Sequence, residues 1–263
     1  MSIDGTLVLV DSNGGENVVS SLKMQSFNNT IESIYDFEYF ESLVNILEKN
    51  TGELERYLEQ NKFHKDLYKN QYGLRLQMEI QRLYLNLASS QRAFVDTLQN
   101  TISERGRKGD LEAFKASLSE QYDTNLGYKM IDGLRNFSQH QTLLPITISQ
   151  SGSELRFKIE RKVILDSKGI TASLRSALEA NTDIDLQDLI SRWKESCDVL
   201  HSSVRALFVD LALDASKKLI SISSLSPDPK VLMRFRFRAG NEIYELPLPL
   251  ETAKSIIKLQ PSL

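Results

Sequence analysis

The sequence predicts a mainly α-helical fold with two small antiparallel β-hairpins and a long C-terminal helix. Three observations predict it. Two long stretches carry apolar residues at steps of three and four. The first 144 residues contain no proline, and all six prolines lie at 145 or later. Two short runs beyond Pro145 pair apolar residues across turn-forming dipeptides.

The elements follow in order. Thr6–Val10 (TLVLV) reads as a short strand, and Asp11–Glu16 (DSNGGE) as a turn or loop. Residues from about Thr30 to Arg105 read as helix. Within them Ile80, Leu83, Leu87, Phe94, Leu98 and Ile102 form one apolar stripe with a polar gap at Gln91. Arg105–Asp110 (RGRKGD) breaks the pattern, and Asp110 is placed to cap a helix over Leu111–Gln121. A further helix covers about Asn125–Gln141, with Leu126, Met130, Leu134 and Phe137 inward. Pro145 disfavours helix at Leu144, so this helix ends just beyond His140.

A hairpin follows. With Ser151–Gly152 as its turn, Ile148 faces Leu155, Ile146 faces Phe157 and Leu144 faces Ile159. Helix resumes near Ile170. Asp185 begins a long helix whose stripe is Leu186, Ile190, Trp193, Cys197, Leu200, Val204, Leu207 and Leu211. Such a stripe buries in a core or along a dimer seam. After Pro227 and Pro229 comes a second hairpin about Gly240–Asn241, with Phe237 facing Tyr244, Phe235 facing Leu246 and Arg236 facing Glu245. Leu250–Leu259 reads as a last short helix. These elements divide the chain into an N-terminal strand and loop (1–27), a helical bundle (28–143) and a hairpin, long-helix and hairpin region (144–263) packed with the bundle as one unit.

Composition narrows the function classes. The chain has 263 residues, 41% hydrophobic and 25% charged, as in ordinary folded proteins. A net charge of −3 means that any contact with nucleic acid must come from a local patch. A single cysteine, Cys197, excludes an internal disulfide and a Cys-based metal cluster, and fits a reducing compartment. The N-terminus lacks the basic cluster of a signal peptide. No apolar run approaches the ~18 residues of a membrane span. The expectation is a soluble, cytoplasmic protein with no membrane partner and no cofactor.

Three histidines, His64, His140 and His201, are the candidate proton carriers. Only His140 has an arginine a short step upstream, in Leu134-Arg135-Asn136-Phe137-Ser138-Gln139-His140. Cleavage of RNA without a metal needs a base for the ribose 2′-OH, an acid for the leaving oxygen, and positive charge on the phosphorane. An arginine and a histidine supply these, the more readily if a second copy faces them. On a helix Asn136 and His140 share a face, whereas Arg135 and His140 diverge by about 140°. A long arginine or a distorted last turn is needed to bring that pair together.

The string Arg135-Asn136-x3-His140 resembles the Arg-x4-6-His signature of the HEPN superfamily. LRNFSQHQTLLP and the upstream LYLNLASSQRAFVD resemble segments of uncharacterised bacterial proteins. The resemblance covers about Leu74–Pro145. It implies a helical bundle of HEPN type and a metal-independent endoribonuclease of a toxin or anti-phage defence system. It implies RNA as substrate, a homodimer sharing one composite site, and an antitoxin or other defence-system partner. Arg135, Asn136 and His140 would be its catalytic residues. Thr142 stands where some toxins of the family carry a modifiable tyrosine, a departure that leaves that regulation unsupported.

Plainer readings stand beside these. His140 also extends the inner stripe of its helix, and Arg135 suits a C-terminal turn. Arg92 and Asp96 are spaced as a surface ion pair, with Asn86 a polar neighbour. Arg234, Arg236 and Arg238 share one strand face and form a candidate RNA-binding stripe, or else a solvated face with Arg236 balanced by Glu245. The alternative function is a non-catalytic helical interaction or adaptor protein using the long helix and the basic hairpin.

Overall fold

The computed structural model describes residues 4–10, 16–63, 72–140, 143–223, 232–239 and 242–259. Its side chains are described for Val8, 31–63, 72–139, 143–221, Arg236, Glu245 and 248–259. In chain order the elements are β1 (Asp4–Val10), β2 (Glu16–Lys23), α1 (Met24–Asn61), α2 (Tyr72–Arg105), α3 (Asp110–Thr124), α4 (Leu126–His140), β3 (Ile146–Ser151), β4 (Glu154–Ile159), α5 (Arg161–Leu165), α6 (Ala172–Ala180), α7 (Leu186–Ser223), β5 (Leu232–Ala239), β6 (Glu242–Pro247) and α8 (Leu250–Leu259). The fold is mainly helical, as the sequence predicts. Among the described residues no helix is long and apolar enough to cross a membrane.

The chain divides into two compact units, 42–203 and a second made of 1–41 with 204–263. The cuts fall inside α1 and α7.

Residues 42–203 carry the motif helix. The predicted stripe of α2 is buried in full, from Ile80 to Ile102. On α4 Met130, Ile131, Leu134 and Phe137 are buried, and on α7 Leu186, Ile190, Trp193, Cys197 and Leu200. Each such aliphatic or aromatic side chain stabilises the fold by about 1.5–3 kcal/mol relative to exposure. Polar side chains start the helices. Asn125 Oδ1 accepts the Tyr128 N–H at 3.1 Å, Thr171 Oγ1 the Leu174 N–H at 3.2 Å, and Asp185 Oδ1 the Gln187 N–H at 2.9 Å.

Asp110 does not cap α3. Gly109, at φ 99°, occupies that position, and Asp110 is the first helical residue; its carboxylate accepts the Arg107 N–H at 2.6 Å. A positive φ suits glycine, and the cap therefore moves back by one residue. The β3–β4 register also differs from expectation: Ile146 pairs Ile159, Ile148 pairs Phe157 and Gln150 pairs Leu155. Gly152, at φ 63°, takes the first turn position, and sliding the turn by one residue moves every partner by two. Leu144 thereby falls outside the ladder. Its N–H donates to Gln81 Oε1 at 3.1 Å, and its carbonyl accepts from Gln81 Nε2. Gln77 Nε2 donates to the Ile146 carbonyl at 3.0 Å, so α2 holds the start of the hairpin. The short helix α5 was not anticipated.

In the other unit β1, β2, β5 and β6 form a four-stranded antiparallel sheet in the order β2-β1-β5-β6. Glu16–Lys23, read as part of a loop and its continuation, is a strand, because pairing with β1 satisfies its backbone. The second hairpin has the predicted register, with Phe237 opposite Tyr244, Phe235 opposite Leu246 and Arg236 opposite Glu245. Phe40 stacks on Phe208 with centroids 5.3 Å apart. Arg205 Nε donates to Glu41 Oε1 at 2.6 Å and Arg205 Nη2 to Glu41 Oε2 at 3.1 Å.

Candidate functional site

Helix α4 is positioned at its N-terminal end and from beneath. Asn125 caps it and also donates through Nδ2 to the Arg192 carbonyl on α7 at 3.0 Å. Gly127 lets α4 approach α7: a Cβ there would stand 2.8 Å from the Arg192 carbonyl carbon. Tyr84 on α2 is fully buried, and its hydroxyl donates to the Ile131 carbonyl at 3.2 Å. Burial pushes the Tyr84 phenol far above its ordinary range, so it stays a neutral donor.

Arg135 and Asn136 are both half-buried in the last two turns of α4. Arg135 Nη1 donates to Asn136 Oδ1 at 2.9 Å. The Asn136 oxygen is thus engaged by the guanidinium, and its NH2 is the group left for another partner. Arg135 forms no salt bridge among the described residues. Its Nε and the Ser138 hydroxyl are buried without a hydrogen-bond partner among the described residues. His140 closes α4, and its side chain lies outside the described residues, as do His64 and Thr142.

One turn before Arg135 lies Asp132, half-buried on the same helix. Burial raises its carboxyl above the ordinary aspartate value, while the Arg92 and Arg135 guanidiniums pull it back. Asp132 and Tyr128 help line a cleft of about 260 Å³ between α2, α3 and α4, together with Arg92, Gln99 and Tyr122. The sequence reading missed this cleft. Its one advance signal was the i, i+4 placement of Tyr128 and Asp132 on the motif helix, off the predicted apolar stripe. Arg92 pairs with Asp96 at 2.7 Å, the expected surface ion pair, and Asn86 is exposed.

The remaining candidates take structural places. His201 is buried, its ring edge-on to Phe94 at 5.0 Å. Cys197 is a buried free thiol whose pKa burial raises, which leaves it poorly reactive. Arg236 pairs with Glu245, Nε to Oε1 at 2.8 Å, which balances the middle of the arginine stripe. The side chains of Arg234 and Arg238 lie outside the described residues. Among the described residues no group of three His, Cys, Asp or Glu side chains is arranged to hold a metal ion.

No family model matches the chain, and no curated protein and no solved structure matches it either.

Proposed function

We propose that this chain is a metal-independent endoribonuclease of HEPN type, acting as a homodimer in a bacterial toxin or anti-phage defence system. The observation that carries the reading is the state of Arg135: its guanidinium is tied to the neutral amide of Asn136 and is not neutralised by an ion pair among the described residues. A cation held in place by a neutral neighbour keeps its charge for a phosphate.

The chemistry follows from the residue types. A base removes the proton of the ribose 2′-OH, and the 2′ oxygen attacks the adjacent phosphorus. The P–O5′ bond breaks and the leaving oxygen takes a proton, which yields a 2′,3′-cyclic phosphate and a 5′-hydroxyl. Arg135 binds the non-bridging oxygens and stabilises the charge that develops on them. His140 carries a proton. One imidazole cannot begin the step both as base and as acid, so a second copy of the motif supplies the other role across the dimer. An antitoxin or other defence-system partner would then act by blocking that groove.

The test is direct. Purified protein is incubated with RNA in the presence of a chelator, and the ends are analysed. The expected product carries a 2′,3′-cyclic phosphate. Arg135→Ala and His140→Ala are each expected to lower the rate by about 10² or more, with melting temperature unchanged. No cleavage by the wild type, with or without metal ions, overturns the reading. A non-catalytic adaptor is favoured by one observation, the buried and unbonded Arg135 Nε, which leaves the guanidinium only half open. In that case His140→Ala changes stability and nothing else.

A further inference from the structure

We propose that the cleft between α2, α3 and α4 binds one unpaired base of an RNA strand whose neighbouring phosphate lies on Arg135. That the polymer is RNA rests on the ribonuclease reading; that the ligand is a nucleobase rests on the cleft itself.

Size comes first. A volume of about 260 Å³ lies just below the ~300 Å³ lower end of small-ligand pockets, room for one base but not for a peptide or a duplex. Charge comes next. The cleft lining holds one cation, Arg92, already paired with Asp96, against the carboxyls of Asp123 and Asp132. Such a ring repels a phosphate and accepts a neutral, hydrogen-bonding ring. The polar groups then match a base edge. Gln99 presents an amide with both donor and acceptor, and it has no hydrogen-bond partner among the described residues. The Asp132 carboxylate adds acceptors for the amino groups of a base. Tyr122 supplies an aromatic face, and the Lys129 ammonium lies 5.4 Å from its ring centroid. Aromatic faces are the usual stacking platforms for splayed-out bases. Finally, Asp132 and Arg135 are one helical turn apart and interact electrostatically, so base and phosphate sites adjoin along α4.

Trp193 is the only tryptophan of the chain, and its indole N–H donates to Gln91, which lines the cleft. It therefore reports on occupancy. The His140→Ala protein is titrated with the four nucleoside 5′-monophosphates, and with one RNA sequence as single strand and as duplex, while tryptophan emission is followed. Saturable change with at least one monophosphate and with the single strand, but not with the duplex, is expected. Tyr122→Leu and Gln99→Ala, both at half-buried positions, are expected to weaken that binding about tenfold or more and to alter the base preferred at the cleavage site. Cleavage with no nucleotide binding and no change of preference in these variants overturns the cleft proposal and leaves the ribonuclease reading standing. Nucleotide binding that these variants weaken, without any cleavage, supports the cleft and removes the ribonuclease. Binding that neither variant alters also overturns the proposal.

Discussion

The indole N–H of Trp193 donates to the side-chain oxygen of Gln91 across 3.1 Å, inside a region where both residues are buried. Gln91 also lies beside the Tyr128 phenol of α4 and pulls its pKa down against burial. One amide therefore ties α2 to α7 beside the motif helix. Gln91→Leu keeps a side chain of similar size and leaves a buried indole N–H without its partner. It is expected to lower stability by about 1–3 kcal/mol, read as a drop in the urea midpoint at constant slope. An unchanged midpoint would show that water replaces the amide.

Gln81 makes the same kind of tie to backbone. Its amide meets both the N–H and the carbonyl of Leu144, the residue just before Pro145 and β3. Gln81→Leu strips that pair and leaves two buried backbone groups unmet. Hydrogen exchange at the Leu144 amide is expected to quicken far more than at the paired amides of β3 and β4, with a loss of about 1–3 kcal/mol overall. Equal protection at Leu144 in both proteins would refute the latch.

Two glycines of α4 separate a hard contact from a soft one. A Cβ at Gly127 would meet the backbone of Arg192 and Trp193, whereas at Gly133 it would meet the Leu174 side chain at 2.9 Å. Backbone cannot rotate away, and a leucine tip can. Gly127→Ala is therefore expected to destabilise by about 1–3 kcal/mol through overpacking. Gly133→Ala is expected to lie within about 1 kcal/mol of the wild type, since the gain in helix propensity offsets part of the strain. Thermal denaturation of the two variants side by side checks the order, and a reversed order contradicts the account.

The helices were legible because their cores repeat along the chain. Ile80 to Ile102 on α2 and Leu186 to Leu200 on α7 are buried as their spacing predicts. The α7 stripe then drifts: Leu207 and Leu211 are half-buried, while Phe208 and Ala212 are buried. A strict seven-residue step loses about 20° per repeat on a 3.6-residue helix, which accounts for the shift. Gln91 read as a gap because its partner lies 102 residues away. The β3–β4 slip was invisible because a two-residue shift keeps the same apolar face inward. The five residues of α5 are too few to show a period. Within the candidate site, Arg135 and Asn136 were legible as a contiguous motif. The cleft beside them was not, because Gln99, Tyr122 and Asp132 come from three helices and meet only after folding.

Asp132 makes the pH dependence of stability a test of the burial that shapes this cleft. Burial is the largest influence on its carboxyl and raises its pKa; Arg92 and then Arg135 oppose it. The unfolded chain holds this group at the ordinary aspartate value. Between that value and the raised folded value, the folded state binds more protons than the unfolded state, so stability falls as pH rises. The contribution is fully present below the unfolded pKa and is lost as pH climbs through the folded one. Asp132→Asn removes the titration and keeps the shape. The variant is therefore expected to gain on the wild type from acid toward neutral pH across that window, and to run parallel to it on either side. Urea midpoints measured for both proteins at matched pH values give the difference curve. A flat difference, or one that favours the wild type as pH rises, would mean that the two guanidiniums balance or outweigh burial.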